Sequence, residues 1–241
     1  MIAMSYLNAS ENEALRKWYE ELNDEAAYSR RCQLFVPEGI TGARALDVNC
    51  RNGKGAYKLA EAVGEDGFVL GPCVTEEQLA KARAGMAKAL QRAGLAKENL
   101  AFAQAFPEDL GAVAADGAFD VVYVNNSLNV AFDPIAVLKE ACRVLVPGGR
   151  LVLATVCADG PRSVEVRVAA RKVGIVVLAA PQLEHLLAQL GALGFGTAKV
   201  LDRRPIEPTA GVLADTVVDV VASDEVVTFS EVIILTEKPS A

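Results

Sequence analysis

The sequence predicts an α/β fold with a doubly wound, mostly parallel seven-stranded sheet. Short apolar runs alternate with helical stretches from about residue 44 onward. These runs are apolar at nearly every position, which is typical of strands that are buried on both faces of a helix-covered parallel sheet. Strands are expected at 45–48, 68–70, 100–103, 119–124, 150–156, 199–201 and 226–235.

The helices are predicted from apolar periodicity and from the signals at their ends. Ser10 with Glu13, and Thr75 with Gln78, match the capping box, in which two side chains satisfy free backbone N–H groups. For the first helix two roles stay open: packing on the domain, or closing a site as a lid. Helices are expected at 11–28, 55–63, 76–94, 107–113, 134–145 and 182–193, with "PGG" at 147–149 ending the fifth.

Composition limits the partners and the compartment. The chain has 241 residues, 52% of them hydrophobic, and a formal net charge of -7, which argues against a nucleic-acid surface. No apolar run reaches the roughly 18 residues that a membrane span needs, and the early acidic residues are unlike a secretory signal, so we expect a cytoplasmic protein without a membrane partner. Five cysteines and one histidine show no metal-ligand spacing, so no metal is expected.

The segment "ALDVNCRNGKG" is the first candidate site. An apolar strand ends on Asp47, and a loop containing Gly53 leads into a helix, which is the layout of a nucleotide-binding site. Glycine serves in such loops because the backbone turns with positive φ and approaches the ligand closely. Asn49 and Arg51 occupy two of the usual glycine positions. Asn can adopt the left-handed conformation, whereas Arg fits it less well.

Five segments occur in one order: "LDVNCRNGKG", "GFVLGPCVTEEQLAKA", "FAQAFPEDL", "FDVVYVNNSLN" and "VLKEACRVLVPGGRLVLATV". This order resembles class I S-adenosylmethionine (SAM)-dependent methyltransferases, which have a Rossmann-like fold. "CQLFVPEGITGARALDV", "VGEDGFVLGPCVTEEQLAKAR" and "GFGTAKVLDRRPIEP" resemble the arsenite methyltransferase family in particular, from about Cys32 to about Lys238. The resemblance implies an N-terminal helical segment (1–31), a cofactor-binding core (32–160) and a C-terminal part of the same domain (161–241).

The resemblance implies SAM as the cofactor, held by a glycine loop and by an acid after the second strand. Cys73 stands where the family has that acid, and a thiol is too weak a donor and acceptor to replace a carboxylate on the ribose. The departures together predict a pocket that has drifted from SAM. The cofactor-side candidates are Asp47, Asn49, Cys50, Arg51, Gly53, Cys73, Val74, Phe106 and Asn125, and the substrate-side candidates are Cys32, Asn126 and Asn129.

The family binds trivalent arsenic through cysteine thiolates. Cys32 matches one of these cysteines, but Asn126 and Val176 stand near the positions of the others. Trivalent arsenic needs two or three thiolates that converge on one point. Arsenite is therefore not the expected substrate of this chain.

The sequence is compatible with two functions from different classes. One is an active SAM-dependent methyltransferase that acts on another small molecule; the other is a non-catalytic binding protein or partner subunit on the same fold. Cys50 and Cys73 follow neighbouring strands, so two interpretations stay open. They either meet as a thiol pair that could bind a soft metal or form a disulfide, or serve as small buried apolar residues. The expected partner is a small-molecule ligand or a protein, and the valine-rich segment 214–235 could supply an edge strand for a homo-oligomer.

Overall fold

The computed structural model describes residues 7–22, 34–206 and 227–240, and it confirms the predicted sheet of seven strands. No helix in these ranges is long and apolar enough to cross a membrane. The strands are β1 (Arg44–Val48), β2 (Phe68–Cys73), β3 (Leu100–Gln104), β4 (Phe119–Asn125), β5 (Leu145–Ala158), β6 (Lys199–Ile206) and β7 (Phe229–Glu237). The helices are α1 (Ala9–Glu21), α2 (Lys54–Val63), α3 (Glu76–Arg92), α4 (Pro134–Val144), α5 (Val164–Lys172) and α6 (Leu183–Ala192), with a 3-10 turn at Leu128–Val130.

The strand order is β3-β2-β1-β4-β5-β7-β6, and the described candidate residues lie at or after the carboxyl ends of its parallel strands. The first five of these strands are parallel, and β7 lies antiparallel between β5 and β6. The chain runs outward from β1 through β2 to β3, then returns to place β4 on the other side of β1. Ligands of doubly wound sheets bind at the carboxyl ends of the strands where the order reverses in this way, here at β1 and β4.

The core fills both faces of the sheet, as two-sided burial of parallel strands requires. Alternate residues of each strand face opposite sides. Ala45 and Tyr123 pack with α2 and α3 on one face, whereas Leu46 and Val122 pack with α4 and α6 on the other. This packing holds the strand ends in fixed positions.

The start of α1 corrects one sequence prediction. The capping residue is Asn8, not Ser10. Its Oδ1 accepts hydrogen bonds from the backbone N–H groups of Ser10 and Glu11. In the reverse direction, the Asn8 N–H donates to the Glu11 carboxylate at 2.8 Å. The predicted box was therefore placed two residues too late. α1 ends at Glu21, and the rest of the predicted helix, from residue 23, lies outside the described residues.

Three further elements differ from the prediction. The segment 107–113 forms turns instead of a helix. Here the Leu110 backbone N–H donates a hydrogen bond to the Glu140 carboxylate at 2.7 Å instead of to a helical carbonyl. The "PGG" segment lies inside β5, which begins directly after α4. α5 was not predicted, because its three valines favour a strand by intrinsic propensity. The cap at Thr75 is confirmed, as its hydroxyl accepts the Gln78 N–H at 3.2 Å.

Candidate functional site

The loop between β1 and α2 has the backbone turn of a nucleotide loop in spite of its substitutions. Asn49 (φ 55°), Arg51 (φ 52°) and Gly53 (φ 80°) all lie in the left-handed region. The Cys50 N–H donates to the Pro72 carbonyl at 2.9 Å, which ties the loop to β2. Two non-glycine residues thus hold conformations that glycine adopts without strain.

Gly53 is required for steric reasons as well. A Cβ at this position would lie 2.9 Å from the rings of Phe102 and Tyr57, closer than packed carbon atoms tolerate. Its N–H donates to the Cys50 carbonyl at 2.9 Å, and its carbonyl accepts the Tyr57 N–H that opens α2. This glycine therefore sets the approach of α2 to the sheet.

Asp47 joins the end of β1 to the N-terminus of α2. Its side chain is buried, with 3% exposed, and accepts a hydrogen bond from the Ala56 backbone N–H. A Cβ on Gly55 would lie 2.5 Å from Asp47 Oδ2, so the carboxyl group occupies the space that a side chain there would take. Burial raises the pKa of Asp47 to about 7, and the Ala56 N–H lowers it in part.

Cys50 and Cys73 meet beneath this loop. Their Sγ atoms are 3.0 Å apart, beyond the length of about 2.05 Å of a disulfide bond, and both thiols are free. The Cys73 side chain is fully buried and that of Cys50 is 6% exposed. The hydrogen bond to Cys73 and then burial raise the pKa of Cys50 far above its usual range, so it remains a neutral thiol.

α1 lies over the two apolar cofactor-side candidates. The Tyr19 ring stacks on Phe106 with ring centroids 6.0 Å apart, and Leu15 and Tyr19 pack with Val74 in one buried cluster. Trp18 Nε1 donates to the Val130 carbonyl at 3.1 Å. Of the two roles left open for this helix, packing on the domain is what these contacts show, and the role of a lid stays a prediction.

Glu108 is a residue of this region that the sequence analysis missed. Its Oε1 accepts the Tyr19 hydroxyl at 2.8 Å and the Asp133 N–H at 3.3 Å. Burial raises the pKa of Glu108 to about 7, and these hydrogen bonds lower it in part. The only available signal was a carboxyl group in "FPEDL", which was assigned to a helix that does not form.

Two amide oxygens at the carboxyl edge are buried without a hydrogen-bond partner among the described residues. They are Asn49 Oδ1, after β1, and Asn125 Oδ1, at the end of β4. Buried polar atoms are nearly always satisfied, so these two acceptors indicate a ligand or water with a donor group at this edge. Asn126 follows with φ 53°, and its N–H donates to the Ala154 carbonyl at 2.7 Å.

The substrate-side predictions fare differently. Asn129 is buried: its amide N–H groups donate to the carbonyls of Val156 (2.9 Å) and Val176 (3.2 Å), and its Oδ1 accepts the Thr155 hydroxyl at 3.1 Å. These bonds use its amide N–H groups and its Oδ1 to anchor the 3-10 turn, and the expected substrate contact of Asn129 stays a prediction. Cys32 lies outside the described residues. Asn126 lies directly after the carboxyl end of β4.

Comparisons with known proteins agree with this geometry. Residues 41–187 match the family model described as "Methyltransferase domain". Arsenite methyltransferase from Aquipseudomonas alcaligenes is 36% identical over 188 residues, which cover 76% of this chain and 53% of the relative. Human arsenite methyltransferase is 32% identical over 145 residues, 60% of this chain and 38% of the relative. The chain thus spans about half the length, or less, of these relatives.

A solved structure extends the similarity over nearly the whole chain. The arsenic(III) S-adenosylmethionine methyltransferase from Chlamydomonas reinhardtii covers 95% of this chain and 74% of its own, with a TM-score of 0.74 and 28% sequence identity. The similarity places this chain close to arsenite methyltransferases and supports the Rossmann-like architecture that the sequence predicted.

Proposed function

The chain belongs to the methyltransferase domain family, and from this premise we propose that its SAM pocket is degenerate and that it does not methylate arsenite. Its relatives imply SAM as the family cofactor. The proposed role is that of a small-molecule-binding protein or a partner subunit that retains the methyltransferase fold.

The contact between Cys73 and Cys50 carries this proposal. In the related family a carboxylate at position 73 accepts the ribose hydroxyls of the cofactor. Here a buried thiol 3.0 Å from Cys50 Sγ takes its place. Losing a charge-assisted hydrogen bond costs about 1.5–3 kcal/mol, or roughly ten- to a hundredfold in affinity. The residues present therefore do not fit the ribose of SAM.

The arrangement of thiols argues against arsenite as a substrate. Cys50 and Cys73 are in contact, but both belong to the cofactor side and are buried. At the substrate side, Asn126 and Val176 stand in place of two family cysteines. An amide and a valine provide no soft thiolate ligand for trivalent arsenic.

A second candidate is an active SAM-dependent methyltransferase on another small molecule. The left-handed backbone at Asn49, Arg51 and Gly53 favours it, because a loop with no ligand to approach has no need of this strained form. The buried acceptors Asn49 Oδ1 and Asn125 Oδ1 also suit an ammonium or hydroxyl donor of a ligand.

A methyl-transfer assay tests the proposal directly. The full chain is incubated with SAM, arsenite and a thiol reductant, and methylated arsenic and S-adenosylhomocysteine are quantified. We expect neither product to exceed a protein-free reaction. Methylated arsenic that increases with protein concentration would overturn the proposal. S-adenosylhomocysteine formed with another acceptor, without methylated arsenic, would establish the second candidate instead.

A further inference from the structure

α5 carries two arginines that the cofactor site does not use. Arg167 and Arg171 are four residues apart and therefore share one face of the helix. Ala170 is buried among Ile175 and Leu178, which anchors the helix against the domain. Both arginine side chains are half-buried, and the Nε atom of each is buried.

Neither guanidinium has an acidic hydrogen-bond partner within 7–22, 34–206 and 227–240. The Nε atoms of Arg167 and Arg171 are buried there and have no hydrogen-bond partner. Burial, and then the neighbouring guanidinium groups of Arg171 and Arg162, lower the pKa of Arg167. Grouped positive charges in a partly desolvated place are costly unless an anion joins them.

The acids near these arginines are engaged elsewhere. Asp133, which attracts Arg171, caps α4 through bonds from the N–H groups of Ile135 and Ala136 to its Oδ1. Asp159 pairs with Arg203 and accepts the Thr228 hydroxyl. Among the described residues, neither of these carboxylates forms a hydrogen bond with Arg167 or Arg171, although Asp133 attracts Arg171 electrostatically.

The pair lies beside the edge of the sheet where ligands bind. α5 packs against the 3-10 turn Leu128–Val130, which Asn129 fixes to β5. Arg167 interacts electrostatically with Cys157, near the carboxyl end of β5, and Arg171 with Asp133, shortly after the turn. The two positive charges thus lie next to the substrate side, outside the cofactor loop.

We propose that Arg167 and Arg171 bind the oxyanion of a small molecule, a carboxylate or a phosphate group. A guanidinium presents a rigid fork of N–H donors that matches both groups, and charge-assisted bonds of this kind are strong. The site concentrates positive charge in a protein with a formal net charge of -7. It does not depend on the proposed loss of SAM binding, because no residue of the cofactor loop belongs to it.

Thermal unfolding of the full chain tests this site with defined probes. Inorganic phosphate and benzoate are each titrated against sodium chloride of equal ionic strength, and the shift of Tm is measured for each protein relative to its own chloride value. The variants are Arg167→Gln, Arg171→Gln and the double variant. Lys172→Gln is the matched control, since it removes an exposed charge from the same helix.

We expect at least one anion to raise the Tm of the wild type and of Lys172→Gln. Each arginine variant should bind that anion roughly ten- to a hundredfold more weakly, with a correspondingly smaller shift. Phosphate active alone would identify a phosphate site, and benzoate active alone a carboxylate site. No shift with either anion, or an equal shift in the double variant, would overturn the inference. Because SAM is absent, this result is independent of the cofactor proposal.

Discussion

Cys73 Sγ lies 3.0 Å from Cys50 Sγ, so the thiol at the end of β2 is hydrogen-bonded to the thiol in the loop between β1 and α2. A carboxylate at this position would instead be a strong acceptor for hydroxyl groups. The thiol at position 73 thus connects the end of β2 to the loop between β1 and α2. The position of this thiol is the basis of the proposed loss of SAM affinity.

Replacing Cys73 by Asp together with Arg51→Gly should improve SAM binding by roughly ten- to a hundredfold, because a charged acceptor returns and the loop regains a glycine. Isothermal titration of the variant and the wild type measures the gain. Cys73→Asn with Arg51→Gly is the matched control, as it has similar size but no charge. Equal affinities of the Asp and Asn variants would show that the missing acid is not the cause.

Gly55→Ala should destabilise the protein by about 1–3 kcal/mol, because its Cβ would lie 2.5 Å from Asp47 Oδ2. Urea unfolding followed by circular dichroism measures the free energy. Gly191→Ala, within α6, is the control: a Cβ there meets nothing within 4 Å and should stabilise by about 0.5–1 kcal/mol. Similar effects at both positions would contradict the described contact.

Arg51→Gly should raise the free energy of unfolding by about 1 kcal/mol, since relief of left-handed strain exceeds the entropic cost of glycine. Asn49→Gly should change it little, because Asn tolerates this conformation. Lys54→Gly, in the first turn of α2, is the control and should lower it by about 0.5–1 kcal/mol. If Arg51→Gly lowered the free energy of unfolding as much as Lys54→Gly does, the proposed backbone strain at Arg51 would be disproved.

Glu108 should make stability depend on pH. Burial raises its pKa from 4.5 to about 7, as it raises that of Asp47 from 3.8 to about 7. Because the folded protein holds these protons more tightly than the unfolded chain, the free energy of unfolding falls as pH rises from about 4 to about 7. Glu108→Gln should remove the part of this dependence that is due to Glu108 and leave the part due to Asp47, which urea unfolding at several pH values measures.

Tyr19→Phe supplies the comparison for the pH dependence. It removes the hydroxyl that bonds Glu108 Oε1 but keeps the acid, so stability should drop by about 1–2 kcal/mol and the dependence on pH should persist. If Glu108→Gln retained the full dependence of the wild type, the assignment to Glu108 would be wrong.

Local sequence signals predicted the sheet and the cofactor loop, because apolar runs and the order of the five segments reflect short-range pattern. They left open whether Cys50 and Cys73 meet, because this contact depends on the register of neighbouring strands. They did not indicate the hydrogen bond between Tyr19 and Glu108, because these residues are 89 positions apart in the chain. The hydrogen-bond partners of Asn129 were not predicted either. They are two carbonyl groups and a hydroxyl group on other elements, which local sequence does not show.

Calorimetric titration of the wild-type chain with S-adenosylhomocysteine tests the central claim most directly. The proposed degenerate pocket predicts no binding tighter than roughly 100 μM, between the millimolar and micromolar marks of the affinity scale. A dissociation constant in the low micromolar range would contradict the account, since the Cys50–Cys73 pair would then coexist with a working cofactor site.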